Sequence, residues 1–182
     1  MTTETHTPGG TAGHREAHIT APPGQPVIEI VREFDAPVER VFRAHVDPEL
    51  VVQWLGPRRL RMRLEQWDIR RGGSYRYLHV DEDGTEYGFW GAVHDVQPGR
   101  SITQTFGFDL EPDSPALETA VFTDLGDGRT RLKVVSAVFD VATRDGMLSS
   151  GMEDGMQQSY QRLDELLAGS TTGTTAGTTT AS

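Results

Sequence analysis

Two histidines and a glutamate stand on neighbouring predicted strands and are the residues best suited to acid–base chemistry. His79 lies in the stretch 74–80, and Glu86 and His94 lie in the stretch 86–96. An imidazole and a carboxylate brought together could pass a proton to and from a substrate. Their neighbours in the sequence are polar, which favours a solvated sheet face over an active site. The chain has no nucleophile-elbow pattern, and no catalytic residue is assigned from the sequence.

The composition excludes several other kinds of chemistry. The chain of 182 residues has no cysteine, which removes thiolate nucleophiles, thiolate metal sites and disulfide bonds. Its formal net charge of −10 argues against a nucleic-acid interface and against charge-driven binding to an anionic membrane. His6, His14 and His18 lie in a segment rich in Thr, Pro and Gly, where no fixed geometry would hold a metal ion. We therefore expect neither a metal nor another cofactor.

Membrane and targeting signals are not found in the sequence. No apolar run approaches the length needed to cross a bilayer. The first residues lack the basic and apolar stretches of a signal peptide. The expectation is a cytoplasmic protein with neither a membrane nor a nucleic acid as partner.

Aromatic side chains are spread over every predicted element that should enclose the interior. They offer a large contact area at small entropic cost, and Tyr and Trp add a polar group. Such a lining suits a rigid, flat or polycyclic ligand that carries some oxygen. A packed aromatic core is the alternative, and the sequence does not choose between them. Together with two methionines, the predicted ligand-binding residues are Trp54, Tyr75, Tyr77, Phe89, Trp90, Phe106, Phe108, Met152, Met156 and Tyr160.

The elements that must position these residues form a simple order. Apolar and charged residues alternate over residues 27–34, which predicts a strand. Two short helices are predicted between this strand and residue 56. Strand patterns separated by Gly-rich turns then fill residues 60–139, which predicts an antiparallel sheet of about seven strands in all. Residues 147–167 are the one amphipathic segment long enough to cover a sheet alone. The fold class is α+β, with residues 25–168 as one domain between predicted disordered tails at 1–24 and 169–182.

A curved sheet around one helix predicts a cavity where the curvature exceeds what side chains can fill. The apolar stripe of the C-terminal helix begins with Met152, Met156 and Tyr160, and these residue types fill irregular space. Glycines inside strands suit sheet bends, and they also allow a ligand to approach the backbone. The strand glycines in question are Gly88, Gly91 and Gly107.

Several stretches resemble the START-like superfamily (SRPBCC, the polyketide-cyclase and birch-pollen-allergen fold). They are FDAPVERVFRAHVDPELVVQWLGP, WDIRRGGSYRY, DEDGTEYGFWG, LGDGRTRL and GMEDGMQQSYQRLDELL, in this order. The nearest branch looks like the homologues of the heat-shock-protein ATPase activator. The resemblance implies a helix-grip fold with a ligand cavity. Two positions depart from the family pattern, because Trp54-Leu55 stands where members often have an aromatic pair and Met156 where many have Trp.

The chain is also similar to the self-resistance proteins of enediyne antibiotic producers, in which such a domain binds the drug and is damaged in its place. This resemblance implies a glycine that gives up its Cα hydrogen to a drug radical, with Gly88, Gly91 and Gly107 as candidates. Relief of sheet curvature is the other explanation for these glycines. The leading hypothesis is a protein that binds a hydrophobic polyketide or enediyne-like natural product for self-resistance. The alternatives are a polyketide cyclase or small hydrolase, and a co-chaperone module that docks on a large partner.

Overall fold

The computed structural model describes residues 16–169, which form one curved antiparallel sheet and four helices. The spatial order of the strands is β1-β2-β8-β7-β6-β5-β4-β3. This arrangement confirms the predicted α+β class, with eight strands instead of about seven. The strands are β1 (His18–Thr20), β2 (Val27–Phe34), β3 (Arg61–Trp67), β4 (Ser74–Val80), β5 (Glu86–Gln97), β6 (Ser101–Phe108), β7 (Ala116–Gly126) and β8 (Arg129–Ala137).

The additional strand, β1, lies in the segment predicted to be a disordered N-terminal tail, and the structure corrects that prediction for residues 16–24. β1 pairs with β2, so that Ile19 lies opposite Ile30. The backbone of Ala17 is also held by one side chain of the C-terminal helix. The Ala17 N–H donates to Gln157 Oε1 at 3.0 Å, and Gln157 Nε2 donates to the Ala17 carbonyl at 2.8 Å. The rest of the predicted tails, including His6 and His14, lies outside the described residues.

The helices are α1 (Val38–Val46), α2 (Pro48–Trp54), α3 (Val141–Ser149) and α4 (Met152–Gly169). The two short helices after β2 agree with the prediction. The Asp47 carboxylate accepts the Glu49 N–H and starts α2, and the Asp140 carboxylate accepts the Thr143 N–H and starts α3. The predicted single helix over 147–167 is divided at Gly151, whose φ of +81° is a left-handed conformation that favours glycine.

Alanine substitutions at two glycines of this region should have opposite effects on stability. Gly151→Ala should lower the free energy of unfolding by about 1 kcal/mol, because a Cβ is disfavoured at positive φ. Gly155→Ala should raise it by about 0.5–1 kcal/mol, because Gly155 lies inside α4 and a Cβ there meets open space. Urea unfolding of the two variants measures both changes. Changes of the same sign would contradict the assignment of Gly151 as the helix break.

The face of the sheet that packs against α4 is called the concave face here. Because side chains alternate along a strand, the strand register decides which residues share this face. Ile28, Ile30 and Phe34 of β2 point into it and are buried. One row across the sheet joins Ile28, Ser136, Glu118 and Gln104 on four successive strands. The opposite face of the sheet is called the outer face.

The packed core lies where α1, α2 and α4 meet the β2 end of the sheet. Leu163 of α4 is fully buried there. The Trp54 ring stacks on Tyr160 at 6.4 Å between centroids, and Tyr160 meets Phe34 edge-on at 5.7 Å. The Trp54 indole N–H donates to the Ala44 carbonyl at 2.9 Å. This tight end of the molecule holds α4 in place over the rest of the sheet.

Candidate functional site

A series of aromatic rings covers the concave face of β4, β5 and β6. Tyr75 lies opposite Gly91, Tyr77 opposite Phe89, and Phe89 opposite Phe108 on the next strand. These pairings decide the inward face of β5, which the sequence pattern left open. Five of the predicted ligand-binding residues therefore share one face of the sheet: Tyr75, Tyr77, Phe89, Phe106 and Phe108.

The rings of this aromatic wall are close to parallel. The centroids of Tyr75 and Tyr77 are 6.2 Å apart with 18° between the ring planes, and Tyr77 and Phe89 are 5.1 Å apart with 20°. Phe89 lies 5.6 Å from Phe106 and 4.9 Å from Phe108, again with small interplanar angles. The two tyrosines are buried, whereas all three phenylalanines are partly exposed. The three phenylalanines are therefore not fully covered by other parts of the protein, although they lie on the inward face of the sheet.

Methionines of α3 and α4 lie beside the packed core. Met152 and Met156 of α4 are partly exposed and pack against the core, as does Met147 of α3. Leu55, one of the two departures from the family pattern, packs against the cluster of Tyr75 and Tyr77. Flexible thioether side chains can adjust to the shape of a ligand. The predicted roof over the sheet therefore consists of adaptable side chains.

Two predicted ligand contacts belong to the packed core instead. Trp54 is 3% exposed and Tyr160 is 7% exposed, and each is held by the ring contacts described above. Burial raises the pKa of the Tyr160 phenol, and the nearby Glu118 charge raises it further. Trp54 and Tyr160 therefore act as parts of the packed core that positions α4 against the sheet.

Trp90 lies on the outer face, which corrects its prediction as a ligand contact. It pairs with Gly107 across β5 and β6, and its indole covers the position where a Gly107 Cβ would stand. Gly88 also faces outward, toward the side chains of Asp109 and Arg76. Two of the three strand glycines are therefore turned away from the interior. Their lack of a Cβ leaves room for these neighbouring side chains.

Gly91 is the strand glycine that faces the interior. The Tyr75 ring lies across it, and a Cβ built on Gly91 would be 2.7 Å from that ring and 1.9 Å from the Thr105 carbonyl oxygen. The Tyr75 hydroxyl reaches over Gly91 to donate to this same carbonyl at 2.8 Å. Glycine is required here because the tyrosine uses the space of a side chain. Displacement of the Tyr75 ring would open the Gly91 backbone to the interior.

The histidines and the glutamate considered for acid–base chemistry do not come together. His79 is buried on the concave face, where Nε2 contacts the Leu55 carbonyl at 3.3 Å. Burial lowers the pKa of His79 to about 4. His94 is exposed on the outer face, and Glu86 is exposed and ion-paired with Arg63 at 2.9 Å. The solvated position suggested by the sequence holds for His94 and Glu86 and is wrong for His79.

Glu118 is the functional candidate that the sequence reasoning missed. It stands on the concave face of β7, and the Ser136 hydroxyl donates to its Oε1 at 2.7 Å. Burial raises the pKa of Glu118, while the hydrogen bonds from Ser136 and Gln104 act in the opposite direction. Its charge also contributes to the raised pKa values of Tyr75, Tyr77 and Tyr160. One carboxyl group therefore stands on the same concave face as Tyr75 and Tyr77.

A groove of about 420 Å³ lies between the β6–β7 loop and α3. Leu110 and Pro112 of the loop form one side, and Thr143, Gly146 and Met147 form the other. Because Met147 also packs against the core, the groove and the interior share one flexible side chain.

Residues 16–169 contain no cluster of three or more His, Asp or Glu side chains able to hold a metal ion. None of the helices within these residues is long and apolar enough to cross a membrane.

An antiparallel sheet curved around a C-terminal helix, with two short helices after the first long strand, defines a helix-grip protein of the START-like superfamily. A family model described as "Activator of Hsp90 ATPase homolog 1-like protein" matches residues 35–168, and the chain belongs to this family. The resemblance stated from the sequence is thereby confirmed at the level of superfamily and branch. No curated protein matches the chain.

Solved structures of bacterial proteins are similar over most of the chain. A protein from Chromobacterium violaceum is 28% identical, with a TM-score of 0.67, covering 78% of this chain and 96% of its own. A protein from Mycobacterium smegmatis is 25% identical, with a TM-score of 0.75 and coverages of 84% and 98%. The AHSA1 protein of Silicibacter pomeroyi is 25% identical, with a TM-score of 0.65 and coverages of 79% and 99%. This chain therefore spans nearly the whole length of these relatives.

Proposed function

We infer that this protein binds a hydrophobic aromatic small molecule between the concave face of the sheet and α4. The observation that carries the proposal is the partial exposure of Phe89, Phe106 and Phe108 on a face that points inward. Ligand pockets are lined mainly by apolar and aromatic side chains, with a few polar groups that orient the ligand. The parallel rings suit a flat or polycyclic guest, and the partly exposed methionines of α4 have side chains flexible enough to adapt to it.

A polyketide or enediyne-like natural product is the ligand class that we propose, with antibiotic self-resistance as the biological role. Sequestration alone would protect the cell by keeping the drug in the interior. In the sacrificial form of the proposal, Gly91 is the residue from which a drug radical takes the Cα hydrogen, because Gly88 and Gly107 face outward. Mass spectrometry after exposure to an activated enediyne distinguishes the two forms. Cleavage at Gly91 supports sacrifice, and an intact chain with bound drug supports sequestration.

Filling the interior should abolish binding of a flat aromatic probe. Ala120 is partly exposed on the concave face, next to Glu118 along β7, whereas Ala92 is exposed on the outer face. We expect anthracenylmethanol to bind the wild-type protein, and Ala120→Phe to weaken this binding at least about tenfold by occupying the space. Calorimetric titration with the neutral probe measures the change.

The matched control is Ala92→Phe, which adds the same ring to the outer face and should leave binding unchanged. Thermal melting of both variants shows whether Ala120→Phe remains folded. Equal binding by the two variants would place the probe outside the interior. Failure of the wild-type protein to bind the probe would instead favour docking on a large protein partner, as the family name suggests. Exposed apolar residues on the outer face, such as Leu117 and Val121, are available for such docking.

A further inference from the structure

The Glu118 carboxyl group lacks a positive partner in the part of the chain that the structure describes. Its neighbours across the sheet are Gln104 and Ser136, and both are neutral. None of the ion pairs found within residues 16–169 includes Glu118. Arg32, the arginine on the same concave face, forms its ion pair with Asp164. The interior therefore holds one carboxyl group without a matching cation among these residues.

The hydrogen bonds around Glu118 favour its ionised form. The Ser136 hydroxyl donates to Oε1, and Gln104 provides a second hydrogen bond to the same carboxyl group. A carboxylate accepts hydrogen bonds with both oxygens, and two bonds leave further lone pairs available. Burial works against the charge, so a group that brings a positive charge would relieve the unfavourable desolvation.

The aromatic surroundings complete a site for a cation. The Tyr75 hydroxyl donates to the carbonyl of Thr105, the residue next to Gln104, and Gln104 lies opposite Glu118 across the sheet. The ring faces of aromatic side chains attract ammonium groups, and this attraction increases when water is excluded. An ammonium group at Glu118 would thus have a carboxylate beside it and aromatic rings on the same face of the sheet. An anionic ligand would meet repulsion at the same place.

We propose that Glu118 selects a ligand that carries a basic amine on its hydrophobic aromatic body. The proposal rests on the interior binding site inferred above and specifies the chemical class of its ligand. The amine donates an N–H hydrogen bond to the Glu118 oxygen that faces the interior, while Ser136 and Gln104 hold the carboxylate in position. The aromatic wall binds the apolar body, and the carboxylate fixes the orientation of the ligand.

Three probes of the same shape test the selection without any change to the protein. They are anthracenylmethylamine, the neutral anthracenylmethanol and anthracenecarboxylate. The wild-type protein should bind the amine about tenfold more tightly than the alcohol, with the carboxylate weakest. Glu118→Gln keeps the shape of the side chain and removes its charge, so it should bring the amine-to-alcohol ratio close to one. Binding of the alcohol should not change.

Glu82→Gln is the matched control, because Glu82 is exposed at the β4–β5 turn and its replacement changes the net charge by the same amount. This variant should keep the tenfold preference for the amine. Equal binding of amine and alcohol by the wild-type protein, or an unchanged ratio in Glu118→Gln, would overturn the role of Glu118 while leaving the interior site intact. Failure of all three probes to bind would overturn the interior site itself and this inference with it.

Discussion

Replacing Asp164 by asparagine should lower the free energy of unfolding by about 3 kcal/mol, because it leaves the Arg32 charge inside the protein without its carboxylate. The Arg32 side chain is 1% exposed, and its guanidinium group donates to the Asp164 carboxylate across the gap between β2 and α4. Its other terminal nitrogen donates to the Glu33 carbonyl at 2.7 Å, and the Phe34 ring lies 5.1 Å from Cζ. An asparagine in place of Asp164 can still accept the hydrogen bond from Arg32, but it cannot neutralise the guanidinium charge. Urea unfolding at neutral pH measures the loss.

A double substitution tests whether the loss of stability comes from the unneutralised Arg32 charge and not from the loss of the contact itself. Arg32→Met combined with Asp164→Asn should recover most of the lost stability, because a methionine of similar length buries no charge. Glu165→Gln on the same helix is the control, since Glu165 pairs with Arg58 at the surface, and it should leave stability nearly unchanged. If Asp164→Asn changed stability as little as Glu165→Gln, the pair would not hold α4 against the sheet.

This ion pair also shows why the packing of the interior could not be predicted from the sequence. The alternation in β2 places Arg32 on the same face as Ile28, Ile30 and Phe34. Its partner lies 132 positions away, on what looks like the polar face of the C-terminal helix. Periodicity identifies faces of elements, whereas the pairing of two charges depends on how those elements dock. The fold class and the order of the remaining elements, by contrast, follow from local patterns and were predicted correctly, apart from β1 and the division of the C-terminal helix at Gly151.

The missed carboxyl group has a different cause. In β7, Leu117 and Val121 alternate with Glu118 and Ala120, so the more apolar set suggests the inward face. In the structure, however, Leu117 and Val121 are 47% and 40% exposed on the outer face. The register with β6 and β8 turns Glu118 inward. The inward position of Glu118 therefore depends on the pairing of β7 with its neighbours, and the alternation within β7 alone does not indicate it.

The aromatic wall was predicted in part for a similar reason. In β5 both faces carry aromatic residues, so alternation could not choose between Phe89 and Trp90. Pairing with Tyr77 and Phe108 turns Phe89 inward and leaves Trp90 on the outer face. A bulge between Val93 and Asp95 then shifts the register before the end of the strand. Strict alternation over the whole strand would have placed its last residues on the wrong face.

Acidification from pH 6.5 to about pH 4 should remove about 3 kcal/mol of stability through each of two histidines, the buried His79 and the half-buried His45. Burial lowers the pKa of His45 to about 4, and it lowers the pKa of His79 to a similar value. The unfolded chain binds protons at these residues from about pH 6.5 downward, while the folded protein keeps both imidazoles neutral. The unfolded state therefore gains protons first, so stability is highest above pH 6.5 and falls toward pH 4. Glu118 acts in the opposite sense, because its raised pKa favours the folded state in acid.

Substitution of one histidine isolates its contribution from that of the other titrating groups. His45 lies between the rings of Trp54 and Phe122, with centroids 4.7 and 5.0 Å away, and its Nδ1 bonds to the Val41 carbonyl at 2.8 Å. His45→Phe keeps the ring contacts and cannot take up a proton, so its stability should fall less steeply between pH 6.5 and 4 than that of the wild-type protein. Urea unfolding at several pH values compares the slopes, with His94→Phe at an exposed position as the control. If the stability of wild type and His45→Phe fell equally steeply with pH, His45 would be protonated in the folded protein. The contact of α1 and α2 with the sheet would then be looser than the structure indicates.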